Sequence, residues 1–308
     1  MRDTFAKEVL NLAKRDERIV LLSGDIGNRM FDEYKSLFPD RFYNCGVAEA
    51  NMMGVAAGMG MSGLIPVLYT ITPFITTRCL EQIRVDICYH EIPAIIVGTG
   101  AGLSYAQLGP THHSCEDIAL MRVLPEMSVV CPCDAVEVVL GLRAAVEYNK
   151  PVYLRLGKKK EPVFQSPDCE FTIGKSITIE EGDDVCFLST GNIMPVVLGA
   201  REQLQQSGIS ARVESFHTVK PLDEACLDEV FNRFRLVITV EEHSKLGGLG
   251  GSVAEWSALH PGKARLLSLG TEDVFLHETG SQQYARKRFG LEPNTISEKV
   301  KQLFQELN

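Results

Sequence analysis

A chain of 308 residues with 45% apolar and 23% charged side chains has the composition of a soluble globular protein and is long enough for two cores rather than one. Its net charge of −9, without any Lys/Arg-rich tract, argues against duplex nucleic acid or an anionic membrane as a partner. Met1–Arg15 reads as a mixed-charge amphipathic helix without an apolar core, so no signal peptide is expected, and no apolar run reaches the roughly 18 residues of a membrane span. The nine cysteines are scattered. Their one close pair, Cys131-Pro-Cys133, has no second pair at a zinc spacing, so no metal site is expected and a reduced cytoplasm is the simplest setting.

Along the chain, short β-branched runs alternate with helical patterns. Strands are expected at Ile19–Leu22, Phe42–Cys45, Leu64–Tyr69, Pro93–Gly98, Met127–Cys131 and Val152–Leu156. Helices are expected between them at Glu49–Met61, Thr72–Tyr89, Glu116–Leu124 and Ala135–Tyr148. Lys158–Asp184 is polar, with Pro162, Pro167 and the run "EEGDD", and reads as a linker plus an edge hairpin. A second set follows. Its expected strands are Val185–Leu188, Ala211–Phe216, Leu236–Val240 and Arg265–Leu267, and its helices Ile193–Gln206, Glu224–Phe234, Ser252–Leu259 and Ile296–Leu307. The alternation predicts an α/β protein of two domains, residues 1–165 and 166–308, each a mostly parallel sheet flanked by helices.

Several residues stand out chemically. Glu49 follows a strand and opens a helix rich in Ala and Gly, where each glycine costs about 1 kcal/mol relative to alanine unless another surface packs closely. Taken alone, a Glu in this place complements the helix dipole. Ligands of open α/β sheets bind beyond the carboxyl ends of the strands, and Glu49, Phe74 and the loop "LGPTHHSCED" (Leu108–Asp117) all follow expected strands. Adjacent His112 and His113 in that loop are candidates for an acid–base or substrate role, with solvated loop side chains as the plainer alternative.

Four blocks carry a family resemblance. "GVAEANMMGVAAGMG" (Gly46–Gly60) resembles the transketolase helix that bears the cofactor-activating glutamate, and "GPTHHSCEDIALMRVLPEMSVVCPCDAVE" (Gly109–Glu137) a later stretch of the same domain. "ISARVESFHTVKPLD" (Ile209–Asp223) and "VEEHSKLGGLGGSVAE" (Val240–Glu255) resemble the transketolase C-terminal domain. The resemblance runs in order over nearly the whole chain and implies a pyrimidine-binding domain followed by a C-terminal domain. Thiamine diphosphate enzymes hold the diphosphate and Mg²⁺ with Gly-Asp-Gly and a later Asn. Here "SGDIGN" (Ser23–Asn28) lacks the third element, and "EGDDV" (Glu181–Val185) leads the second domain. The resemblance therefore implies half of a transketolase, completed by a separate diphosphate-binding subunit that carries the Mg²⁺ ligands, in an α2β2 heterotetramer with a homodimeric β core.

The same resemblance implies roles for individual residues. Glu49 would hydrogen-bond the aminopyrimidine of thiamine diphosphate and favour its imino tautomer, so that a two-carbon unit can pass from a ketose to an aldose. Phe74, in "FITTRCLEQIR", would stack on the pyrimidine, with Ile71, Arg78, Gln82 and Asp25 around the cofactor. His112 would move protons on the sugar, and His113, Arg2 and Lys158 would contact substrate. Gly100 and Leu108 stand where relatives of the pentose phosphate route carry a histidine and an aspartate, so the usual donor should bind worse. The usual phosphate-binding serine is not apparent near Asn28 and Arg29. A ketose substrate, phosphorylated or not, is expected. Alternatives are a 1-deoxyxylulose-5-phosphate synthase relative, a 2-oxo acid dehydrogenase β-subunit, or a non-catalytic regulatory subunit. His217 and His243 read as structural or interfacial. "GGLGG" (Gly247–Gly251) looks like a phosphate loop by composition but, by resemblance, is a structural turn at a helix start.

Overall fold

A computed structural model describes residues 1–27, 29–158 and 161–307; Asn28, which ends the "SGDIGN" stretch, lies outside them. The β-branched runs form strands Ile19–Ser23 (β1), Phe42–Asn44 (β2), Ile65–Ile71 (β3), Ile95–Thr99 (β4), Ser128–Val130 (β5) and Val152–Leu156 (β6). They pair in parallel in the order β2-β1-β3-β4-β6-β5. β1, β4, β5 and β6 are buried along their whole length, as a parallel sheet covered on both faces requires.

The second half supplies Ile177–Glu180 (β7), Val185–Thr190 (β8), Ala211–Ser215 (β9), Thr218–Lys220 (β10), Leu236–Ser244 (β11) and Arg265–Thr271 (β12). Its sheet runs β12-β11-β8-β9-β7, parallel except for β7. The polar segment before β8 thus contributes one antiparallel edge strand paired with β9, not a hairpin. The short strand β10 leaves its own half and pairs antiparallel with β5, completing a seven-stranded first sheet among the described residues. The apolar core follows the same crossing, because Val129, Cys131 and Tyr153 of the first half share one cluster with Phe216, Val219 and Leu227 of the second.

The helix Glu49–Met61 forms as expected, but the expected helix Thr72–Tyr89 is broken. It runs through a short α-turn Thr72–Ile75, a 3-10 turn Thr77–Cys79, an α-turn Leu80–Gln82 and π-type turns Ile83–Cys88. The buried residues Ile75, Cys79, Ile83 and Ile87 explain the widening, since each follows the last by four positions. In a straight α-helix such a stripe rotates away from the core by about 40° at every step. Wider turns keep it facing inward, and the Thr76 hydroxyl, donating to the Thr72 carbonyl at 2.7 Å, helps break the regular ladder.

Candidate active site

Glu49 (after β2), Ile71 and Phe74 (at and after β3), His112 (after β4) and Lys158 (after β6) all emerge at the carboxyl edge of the first sheet. Glu49 is only 4% exposed although it opens its helix. Its carboxylate accepts from one guanidinium nitrogen of Arg78, Nη1, at 3.2 and 3.1 Å. The broken helix places Arg78 there, and the same guanidinium lies 4.0 Å over the half-buried Phe74 ring. A buried carboxylate beside an aromatic face is a donor set suited to a flat, nitrogen-bearing ring, which would take the place of Arg78 at Glu49.

The row continues from Phe74. The His112 ring packs edge-on against Phe74 at 5.2 Å and against Tyr105 at 6.0 Å, and its Nδ1 lies 3.0 Å from the Thr111 hydroxyl. Burial, and then the charges of Arg78 and Lys158, hold His112 below the usual histidine range, which favours its neutral form. Beyond it the Lys158 ammonium stands 4.1 Å over the Tyr105 ring. Arg2 donates through Nε to the Tyr69 hydroxyl at 3.1 Å. Burial raises the Tyr105 phenol, and nearby Arg2 opposes the rise. The result is a path from a carboxylate, past an aromatic face and a neutral imidazole, to two cations.

The other expected residues are placed differently. Asp25 takes a left-handed backbone (φ 55°) and accepts from Asn44 Nδ2 at 2.9 Å, on the exposed rim beside β1 and β2. Gln82 is half-buried in the broken helix, and Leu108 is exposed at the end of the 3-10 turn Ala106–Leu108. His113 is buried. It lines a cavity of about 360 Å³ between the halves, with Leu103, Cys115, Glu116, Leu246 and Phe289 among its walls. Tyr69 and Tyr105 are not singled out by the sequence: Tyr69 reads as one more buried strand residue of β3, and a tyrosine in a Gly-rich loop gives no periodic signal of its own.

The loop bearing Tyr105 and His112 is held from behind by the second half. Gly102 and Ser114 bridge its two ends, and Glu242 of β11 accepts from Leu103 N at 2.6 Å, from Gln282 Nε2 and from Arg286 Nε. Arg155 of β6 binds Asp117 at 2.7 and 3.1 Å and also donates to the carbonyls of Ser114 and Glu242. His243 is fully buried against Ala119 N and the Ser244 carbonyl. His217 stacks on Phe171 at 3.8 Å. At the glycine-rich stretch, the Glu241 carboxylate accepts from Leu249 N and Gly250 N, both at 2.8 Å, so an internal anion caps that helix start. No group of three or more His, Cys, Asp or Glu suited to a metal ion occurs among the described residues. The buried Glu49 carboxylate and the Phe74 face fit the ring end of a cofactor.

Comparison with known proteins finds two transketolase domains in succession. A pyrimidine-binding unit is followed by a second α/β unit: the transketolase pyrimidine binding domain matches residues 1–162 and the transketolase C-terminal domain residues 174–296. The chain belongs to the transketolase family. It is 36% identical to a putative transketolase C-terminal section of Methanocaldococcus jannaschii, covering 97% of this chain and 95% of that protein. It is 34% identical to one subunit of an apulose-4-phosphate transketolase of Phocaeicola vulgatus (96% and 94% covered). It is 35% identical to the 6-deoxy-6-sulfo-D-fructose transketolase subunit SqwH of a Clostridium species (96% and 92% covered). Among solved structures, a split-gene transketolase described as an inactive β4 tetramer superposes with a TM-score of 0.91 at 35% identity, over 99% of this chain and 98% of that one. The transketolase of Campylobacter jejuni shares the fold, with a TM-score of 0.83 at 20% identity, over 98% of this chain but 46% of its own.

Proposed function

We propose that the chain is the pyrimidine-side subunit of a two-polypeptide, thiamine diphosphate-dependent transketolase that moves a two-carbon ketol unit from a ketose to an aldose. The observation that carries this reading is the buried Glu49 carboxylate beside Phe74, in a chain that spans nearly all of a transketolase C-terminal section and under half of an undivided transketolase. Residues 1–165 form the pyrimidine-binding unit and 166–308 the C-terminal one. The diphosphate and its Mg²⁺ are held by the partner, a diphosphate-binding subunit corresponding to the N-terminal half of a transketolase. The assembly is an α2β2 heterotetramer with a homodimeric β core. Gly54 and Gly58 support close assembly, because they lie on an exposed helix face where an added Cβ meets nothing within 4 Å. No helix among the described residues is long and apolar enough to cross a membrane, and a cytoplasmic setting suits nine unpaired cysteines.

When bound, the cofactor supplies the nucleophilic carbon and the electron sink for cleaving the bond beside the ketose carbonyl. Glu49, released from Arg78, would hydrogen-bond a ring nitrogen of the pyrimidine and could hold its proton, and Phe74 would offer the ring a face, with Ile71 and Gln82 lining the pocket and Asp25 at the rim. Neutral His112 takes and returns a proton on the sugar. Arg2 and Lys158 favour a donor with an anionic end, and Leu108 offers no acceptor to a sugar hydroxyl. Phosphate and sulfonate both meet that description, and both occur in the names of relatives' substrates.

Further relatives include 1-deoxy-D-xylulose-5-phosphate synthases, of which the chain spans about half. The calorimetric test is titration of thiamine diphosphate and Mg²⁺ into the chain alone and into its mixture with a candidate diphosphate-binding subunit. Tight binding only in the mixture is expected; tight binding to the chain alone would overturn the division of the site.

A further inference from the structure

The wall of the site beyond His112 has an unusual construction. Gly100 follows β4 with φ +74°, and a Cβ built on it would lie 1.7 Å from Tyr105 Cε2. No side chain can therefore project from position 100, because the Tyr105 ring fills that space. The ring is itself fixed on several sides. Tyr105 is buried, its ring carries the Lys158 ammonium at 4.1 Å, and it meets His112 edge-on. Its loop is fastened by the Gly102–Ser114 bridge and by Glu242. A rigid aromatic thus stands between the imidazole that would face the reacting end of a sugar and the two cations that would face its far end.

We propose that Tyr105 is a specificity-determining residue, whose ring sets how many carbons separate the reacting carbonyl from the anionic end of an accepted ketose. The inference rests on the transketolase reading. The chemistry is steric first: the ring is a fixed stop, and the cations at its edge recognise an anion only where a chain of the right length delivers it. A chain one carbon too long presses against the ring, and one too short leaves Arg2 and Lys158 unreached. In an apolar pocket one methylene is worth roughly 10-fold or more in kcat/KM, so a wall of this kind ranks homologous substrates sharply.

The test uses the assembled two-subunit enzyme and a series of five-, six- and seven-carbon 2-ketoses phosphorylated at the terminal carbon, with glycolaldehyde as acceptor. Wild-type enzyme should prefer one length. Tyr105→Leu keeps apolar bulk in the loop but shortens the wall, and should shift the preference toward the next longer donor, changing the kcat/KM ratio of the two by about 10-fold, chiefly through KM. Tyr105→Phe keeps the wall and should retain the wild-type ranking, which a requirement for the hydroxyl would not allow. Thermal melting and co-elution with the partner show that each variant is folded and assembled. If Tyr105→Leu lowers activity on all three donors equally, or leaves the ranking as it was, the proposal is overturned while the transketolase reading stands. If wild-type enzyme transfers from none of them, nor from the same ketoses with a terminal sulfonate, the transketolase reading falls, and the inference with it.

Discussion

Replacing Glu49 by Gln separates a catalytic carboxylate from a helix cap. The carboxylate is held by Arg78, and both contacts come from a single nitrogen at 3.1 and 3.2 Å rather than from the two-nitrogen fork that makes such pairs strong. Arg78 is also 48% exposed, so water readily takes over its charge when the partner is lost. The pair therefore contributes at most about 1 kcal/mol. Glutamine keeps the shape, and its amide oxygen still accepts from Arg78, so the isolated chain should lose less than about 1 kcal/mol in urea denaturation. The amide cannot exchange a proton with a ring nitrogen. Turnover of the assembled enzyme should then fall on the order of 100- to 10,000-fold, the usual worth of a positioned acid–base group. A variant that unfolds by about 3 kcal/mol more easily, yet turns over within about threefold of wild type, would mean that Glu49 is a structural cap.

The frame around the site can be perturbed in two ways. Arg155 and Asp117 are 2% and 0% exposed, so Arg155→Met strands a buried carboxylate with only the Tyr153 hydroxyl and should cost about 3–5 kcal/mol, while Arg155→Met/Asp117→Leu costs less than the single change. Urea titration followed by Trp256, the only tryptophan, measures both; a double variant no better than the single one would refute the reasoning. Burial pushes His217 down to about 3. The unfolded chain, with an ordinary value near 6.5, takes up its proton first, so stability is lost as pH falls from about 6.5 toward 3, by about 1.4 kcal/mol per unit. His217→Gln should flatten that stretch of the pH–stability curve by one proton, and an unchanged slope would place the acid sensitivity elsewhere.

Much of the fold is legible because its signals are local. The parallel strands are continuous apolar runs, and helix Glu49–Met61 begins and ends where its pattern does. The features that differ from expectation depend on partners distant in sequence. β10 is three residues of unremarkable composition, and only β5 makes it a strand. β7 resembles half a hairpin until its partner proves to be β9. The break after Thr72 is readable in principle, since the apolar spacing of four in Ile75, Cys79, Ile83 and Ile87 does not suit a regular α-helix. At the candidate site, Glu49 and His112 stand in blocks that resemble the family, and Phe74 in the separate segment "FITTRCLEQIR". Tyr105 becomes visible only when the space above Gly100 is measured.

The second half acquires a role from the same geometry. It brings no residue into the row from Glu49 to Lys158, yet the row depends on it. The loop Gly100–Ser114 carries both Tyr105 and His112 and has little regular structure of its own. Unsupported, such a loop would sample many conformations, and a ring that must stand against Gly100 would seldom be there. β11 runs four residues past Val240, and those residues, Glu241 to Ser244, supply the support. Glu242 takes the Leu103 amide and is itself held by Arg286, while Arg155 ties the Glu242 carbonyl to Ser114 and Asp117 at the loop's other end. Glu242, Arg155, Ser114 and Asp117 are all buried, so a shift of the second half would leave several polar groups unpaired at once. The second half is therefore a brace: it fixes the loop that carries the His112 imidazole and the Tyr105 ring, while the first sheet positions the Glu49 carboxylate.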